Sequence, residues 1–128
     1  MSEPLWVPLI AIITIHDRQI ARHGGAPGLR DRGLIETGSA RAMNLAANET
    51  PDLFEIAAAY AYGIAQAHAF IDGNKRTAFV TAVTFLRLNG FVFRPEPAKG
   101  VRMMEDLASD AVTEPDFAKW LRDGAKPL

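Results

Sequence analysis

No cysteine occurs in the 128 residues, so neither a disulfide framework nor a thiolate metal site is available. An excess of one charge is missing too. Fourteen Lys and Arg face 15 Asp and Glu, a net charge of -1. No overall field therefore draws the chain to nucleic acid or to an acidic bilayer, and any anion site has to be local. Long apolar runs are absent: the longest, Leu5 to Ile15, is interrupted by Pro8 and Thr14. It falls well short of the roughly 20 residues that a membrane span needs. Only Ser2 and Glu3 precede it, without the Lys or Arg of a secretory signal. Repeats, low-complexity tracts and linkers are also lacking. The expectation is a soluble, unprocessed cytoplasmic protein, one domain over residues 1–128, with no direct nucleic-acid binding and no membrane segment. That length buries a core without a covalent staple.

What is present reads almost wholly helical. Ile12, Ile15 and Ile20 share a broad apolar face from Pro8 to about His23, where Gly24-Gly25 ends the helix. Ala26-Pro27-Gly28-Leu29-Arg30 is a turn-rich segment with the makings of a small flap. Asp31 is placed to cap a second helix reaching about Ala47. Thr50 as N-cap and Pro51 at the first helical position predict a third helix. Its stripe of Leu53, Ile56, Ala57, Tyr60 and Ile64 continues by four to His68, which predicts that His68 projects from the packed side of the last turn. A fourth helix runs from near Asn74 to Asn89-Gly90. With Ala78, Phe79, Val80, Ala82, Val83, Phe85, Leu86 and Leu88 it has almost no polar face, which predicts the central buried helix. Phe91 to Phe93 fits an edge strand or extended link, and Pro95 and Pro97 mark a loop. Two shorter helices follow, from about Ala98 to Ser109 and from Thr113 to Gly124, the last packing through Phe117, Trp120 and Leu121.

The chemistry concentrates in His68-Ala69-Phe70-Ile71-Asp72-Gly73-Asn74-Lys75-Arg76-Thr77. The first amides of a helix lack internal partners, and the helix dipole favours an anion there. Gly73 lets the backbone approach that anion. Lys75 and Arg76 add two positive charges, and Arg76 can grip phosphate oxygens with two parallel hydrogen bonds. Asp72 supplies the hard carboxylate oxygen that magnesium takes alongside substrate phosphates. His68 supplies an imidazole, the side chain most often used as a general base. Phe70, buried beneath the loop, would fix its shape. Each residue also has an ordinary use: a histidine on an apolar stripe is usually packed, an aspartate before a helix usually caps it, and adjacent cations are usually solvated. Their joint occurrence before an apolar helix points to a phosphate-handling site.

This string resembles the signature of the Fic/Doc family, His-Pro-Phe-x-(Asp/Glu)-Gly-Asn-Gly-Arg-x-x-Arg. It is most similar to the Doc, or death-on-curing, branch, whose loop reads His-x-Phe-x-(Asp/Asn)-(Ala/Gly)-Asn-Lys-Arg-Thr. The likeness extends to Ile15-His16-Asp17, Arg22-His23-Gly24-Gly25, Pro27 to Asp31, Asp52 to Glu55, Phe85-Leu86-Arg87 and Asn89-Gly90, covering residues 10–110. The resemblance implies an all-α, compact Fic fold of about six helices with a central buried helix and a small flap. It implies His68 as the base that deprotonates a target hydroxyl and Asp72 as the magnesium ligand. Gly73 and Asn74 would form an anion cradle, Lys75 and Arg76 would bind nucleotide phosphates, and Pro27, Gly28, Leu29 and Arg30 would lie where the family keeps a flap that aligns the target.

Lys75 stands where the fuller pattern has its second glycine, and Phe79 where it has its last arginine. In adenylylating members that glycine leaves room for phosphate and that arginine grips it. The resemblance therefore implies Doc-type chemistry: transfer of the γ-phosphoryl group of ATP, with Mg2+, to a Ser/Thr hydroxyl of elongation factor Tu, which stops protein synthesis. The alternatives are a Fic-type adenylyl transferase and an inactive protein that only binds an antitoxin. Fic proteins often carry an inhibitory (Ser/Thr)-x-x-x-Glu helix. Here the residues four before Glu36, Glu49, Glu55, Glu96, Glu105 and Glu114 are Arg32, Leu45, Pro51, Val92, Val101 and Asp110, so no such brake is evident. The resemblance to the Doc branch implies that a separate antitoxin, folding as a helix in a groove of this chain, takes its place. The apolar N-terminal run and Met103-Met104 are the candidate walls of that groove.

Overall fold

The structure is a computed structural model that describes residues 3–128. It is all-helical apart from one short strand pair: α1 (Leu9–His23), α2 (Arg32–Asn48), α3 (Leu53–Ala67), α4 (Asn74–Leu88), β1 (Phe91–Val92), α5 (Pro97–Ala108), α6 (Glu114–Gly124) and β2 (Lys126–Pro127). The stop and start signals act where their chemistry puts them. Gly24 takes φ 83 and donates its N–H to Ile20 O, closing α1. Asp31 caps α2 by accepting from Leu34 N, and Thr113 caps α6 by accepting from Asp116 N.

The start of α3 differs from the sequence expectation. Its N-cap is Asp52, with Thr50 and Pro51 outside the helix. The Asp52 carboxylate accepts from Glu55 N at 2.8 Å while the Glu55 carboxylate accepts from Asp52 N at 3.0 Å. This reciprocal arrangement satisfies two terminal amides at once, which a single Thr50 hydroxyl does not. Arg122 of α6 then binds the second Asp52 oxygen at 2.6 Å.

The central buried helix is α3 rather than α4. Nine α3 residues are buried, from Ile56 to Ala65, whereas α4 buries only Thr77, Ala78, Thr81, Ala82, Phe85 and Leu86 and leaves Phe79, Val80 and Val83 half-buried. Residue size explains the difference. Alanines at 57, 58, 59, 61 and 65 and a glycine at 63 let other helices approach closely on several sides, and α3 contacts α2, α4, α5 and α6. The closest approach is to α2: a Cβ added to Gly38 would lie 2.7 Å from Gly63 O. Bulky side chains on α4 cannot be surrounded so tightly.

The buried apolar side chains form one cluster running from Val7 to Leu121. Phe85, Phe117, Leu107 and Leu121 are fully enclosed, each contributing about 1.5–3 kcal/mol relative to exposure. The chain ends are tied in as well. Asn89 brackets Leu5, accepting from its N–H and donating to its carbonyl, and β2 pairs antiparallel with β1. Pro97 lies at the first helical position of α5 rather than in the preceding loop. Among the described residues, no helix is long and apolar enough to cross a membrane.

Candidate active site

The site lies where α3 hands over to α4. The six residues 68–73 reverse the chain, and the reversal begins at His68 itself. It is the C-cap of α3, with φ 49 and ψ 40, and its side chain is exposed. The stripe reading put it on the packed side of the last turn. The left-handed backbone turns it out instead, because the periodicity of α3 ends at Ala67. A non-glycine residue held at positive φ needs support from its surroundings. Arg30 provides it: its Nε donates to the His68 carbonyl at 3.1 Å, and an Nη of the same guanidinium donates to it too.

The flap segment is knitted to this loop by its backbone. Arg30 N donates to Ala69 O at 2.7 Å, Asp31 N donates to the same oxygen, and Ile71 N donates to Gly28 O at 3.1 Å. Leu29 and Phe70 thus face each other in an antiparallel bridge. Pro27, Leu29 and Arg30 remain largely exposed beside the site.

Phe70 is buried and its ring stacks on His16, with centroids 3.8 Å apart and planes at 8°. His16 is also buried, and its Nε2 lies 2.7 Å from the Asp72 carbonyl oxygen. A carbonyl only accepts, so that nitrogen carries the proton. Among the described residues the other ring nitrogen has no hydrogen-bond partner, and an Asp17 carboxylate oxygen stands 3.5 Å from it. Sequence reading did not assign His16 a role in the site. The available signal was its spacing of four from Ile12, which puts it on the inward face of α1.

Asp72 is exposed, yet both its oxygens are engaged: one accepts from Gly73 N at 2.8 Å, the other from Ala26 N at 3.3 Å. These backbone donors, Gly73 first, hold its pKa below the ordinary 3.8, with the Arg76 charge adding in the same direction. Each oxygen keeps a lone pair, so the group fits a cation that takes one protein carboxylate. Among the described residues there is no cluster of three His, Asp or Glu of the kind that forms an all-protein metal cage. Gly25, read from the sequence only as a helix stop, packs under this carboxylate. A Cβ there would stand 2.6 Å from Asp72 Oδ2.

Gly73 caps α4 at φ 76, a conformation that strains any side chain, with Ile20 and His16 closing the space around it. The first helical hydrogen bond runs from Thr77 N to Gly73 O, so the amides of Asn74, Lys75 and Arg76 precede the ladder. The Asn74 side chain is spent inside the loop, accepting from Phe70 N at 3.0 Å and donating to Phe70 O at 2.9 Å. Only its backbone is left for an anion. Lys75 is exposed. Arg76 reaches across to the end of α1, where its guanidinium sits 3.5 Å from Gln19 O and 3.4 Å from Gly24 O, long contacts that leave donors to spare. His68, Asp72, Gly73, Asn74, Lys75 and Arg76 together line one pocket of about 370 Å3. An imidazole, a carboxylate held ionised, free amides and two cations therefore meet in one concave place.

Comparison with known proteins places the chain in the Fic/DOC family. The model of the Fic/DOC family matches residues 6–86. Protein kinase doc of Escherichia phage P1 is 45% identical over 80 residues, which cover 62% of this chain and 64% of that protein. Toxin Doc of Mycolicibacterium smegmatis (strain ATCC 700084 / mc(2)155) is 38% identical over 92 residues, covering 70% of this chain and 69% of that protein. The match to the phage protein thus spans a little under two thirds of its length.

Proposed function

Because the chain belongs to the Fic/DOC family, we propose that it is a single-domain toxin kinase of the Doc type, which transfers the γ-phosphoryl group of ATP to a Ser/Thr hydroxyl of elongation factor Tu in the cytoplasm. The observation that carries this reading is the convergence of His68, Asp72 and the N-terminus of α4 with Lys75 and Arg76 on one pocket. The kinase name of the phage relative supports it.

The chain's own residues account for the steps. His68 takes the proton from the target hydroxyl, whose oxygen bonds to the γ-phosphorus as the β–γ bridging bond breaks and ADP departs. The amides of Asn74, Lys75 and Arg76, the α4 dipole and the two side-chain cations take up phosphate charge, a preorganised arrangement that needs no rearrangement in the transition state. Asp72 would hold Mg2+, which neutralises phosphate oxygens when bound. Lys75 stands where the fuller family pattern has its second glycine and sets the nucleotide with its γ-phosphate toward His68. Arg30 and His16 act as positioning residues, the first through the His68 carbonyl and the second through the Asp72 carbonyl. Pro27, Gly28, Leu29 and Arg30 present the flap beside which the target segment lies.

Inhibition falls to an antitoxin helix. The groove between α1 and α4, lined by Ile10, Ala11, Thr14, Ile15 and Val80, is the place for it. Of the two methionines considered from the sequence, both are buried, and Met104 walls a different cleft. The test of this reading is His68→Ala. It is expected to abolish phosphorylation of elongation factor Tu and leave Mg-ATP binding largely intact. Loss of both together would make His68 a structural residue.

A further inference from the structure

A second cavity adjoins the pocket just described. It is a cleft of about 530 Å3 between α4 and α5, walled by Phe79, Val80, Phe93, Pro95 and Met104 and floored by Gly100. Phe93 and Phe79 are braced by Trp120, whose ring stands edge-on to Phe93 at 4.8 Å and lies 6.3 Å from Phe79. Lys75 and Arg76 line this cleft as well as the His68–Asp72 pocket. The two spaces therefore meet at the cation pair. Arg94, Gln19, His23 and Glu105 add polar groups to the lining.

We propose that this cleft receives the purine base of the nucleotide whose phosphates bind at Lys75 and Arg76. The inference rests on the kinase reading of the site. A flat, apolar ring joined to a polyanion is the ligand that matches an aromatic-walled cleft opening onto paired cations. The volume lies in the range of small-molecule sites. Stacking against aromatic walls tolerates different bases, and the polar lining residues supply the contacts by which one base is preferred. The antitoxin helix proposed above lies instead in the α1–α4 groove, whose lining mixes Ile10, Ala11, Ile15 and Val80 with Arg18, Gln19 and Arg22.

Gly100 provides the test. It lies within α5 at ordinary helical geometry, and the nearest atoms to a Cβ there belong to Phe79 and Pro95, at 3.6–3.9 Å. Gly100→Leu would fill the cleft without touching the His68 pocket. Calorimetric titrations of the whole chain with Mg-ATP and with Mg-triphosphate, which has no base, are compared. Gly100→Leu is expected to weaken ATP about ten- to a hundredfold and leave triphosphate affinity unchanged. On the unmodified chain, 8-azido-ATP is expected to label peptides from Phe93 to Glu105 in a manner suppressed by excess ATP. Labelling confined to the flap, or ATP no tighter than triphosphate on the unmodified chain, overturns the inference and leaves the kinase site standing. If neither ATP nor triphosphate binds the unmodified chain, the reading of the site itself fails, and this inference with it.

Discussion

His16 carries the most exacting prediction. Its ring lies against Phe70 and its Nε2–H holds the Asp72 carbonyl at 2.7 Å, one residue before the helix end proposed to meet phosphate. His16→Phe keeps a flat ring for the stack and deletes the donor. The partly buried carbonyl then loses its partner, at a cost of about 1–3 kcal/mol. If that energy is what holds Asp72 and Gly73 in register, kcat/KM for phosphoryl transfer falls about 5- to 150-fold. His16→Gln places an amide N–H near the position of Nε2 and deletes the stack, so it should restore most of the rate even though it packs less well. The assay is steady-state phosphorylation of elongation factor Tu, with urea midpoints measured alongside. Equal loss of activity in the two variants, or full activity in His16→Phe, refutes the reasoning, because packing alone does not distinguish a donor from a ring.

Four further outcomes follow from the same structure. Gly38→Ala drives a Cβ to 2.7 Å from Gly63 O and should cost at least about 1–3 kcal/mol, read from denaturant unfolding; an unchanged midpoint would mean that α2 and α3 are not held at this contact. Asp52→Ala removes both the α3 cap and the Arg122 pair and should cost about 1 kcal/mol or somewhat more; Thr50→Ala, outside the helix, should cost little, and the reverse order would restore Thr50 as the cap. The depressed pKa of Asp72 stabilises the fold above the unfolded carboxylate pKa, and that stability is lost as pH falls through the folded value. Asp72→Asn should therefore lower stability at neutral pH but match the parent at acidity below the carboxylate range; a gap that persists in acid would assign its effect to something other than charge. Lys75→Gly should lose γ-phosphoryl transfer, and unchanged turnover would remove Lys75 from control of nucleotide orientation.

Local signals in the chain carried much of this architecture. Gly24, Asp31, Asn89-Gly90 and Thr113 bound their helices where glycine conformations and capping oxygens predict, whereas Gly124 is the last helical residue of α6 and the extended Ala125 is its cap. The loop from His68 to Thr77 announced the site because an anion-binding helix end needs its glycine and cations close together in sequence. What escaped detection depends on distance along the chain or on competing local choices. Asp52 displaced Thr50 through a reciprocal bond with Glu55 that only geometry reveals. His68 left the apolar stripe because one left-handed residue ends the period. The large apolar side chains of α4 suggested it as the centre, but closeness of approach depends on small residues, and those belong to α3. His16 and Asp72 are 56 residues apart, and Arg30 and His68 are 38 apart; no periodicity links such pairs, although they hold the loop in place. β2 is two exposed residues whose only structural reason is β1.

The central claim is that the pocket of His68, Asp72 and the α4 amides moves a terminal phosphate. Its most direct test is to incubate the chain with elongation factor Tu and magnesium plus ATP labelled either at the γ- or at the α-phosphorus. Label from the γ position on a serine or threonine of the target, absent with His68→Ala, is the predicted result. Label from the α position would instead mean adenylyl transfer, and no label from either would contradict an enzymatic role for the pocket.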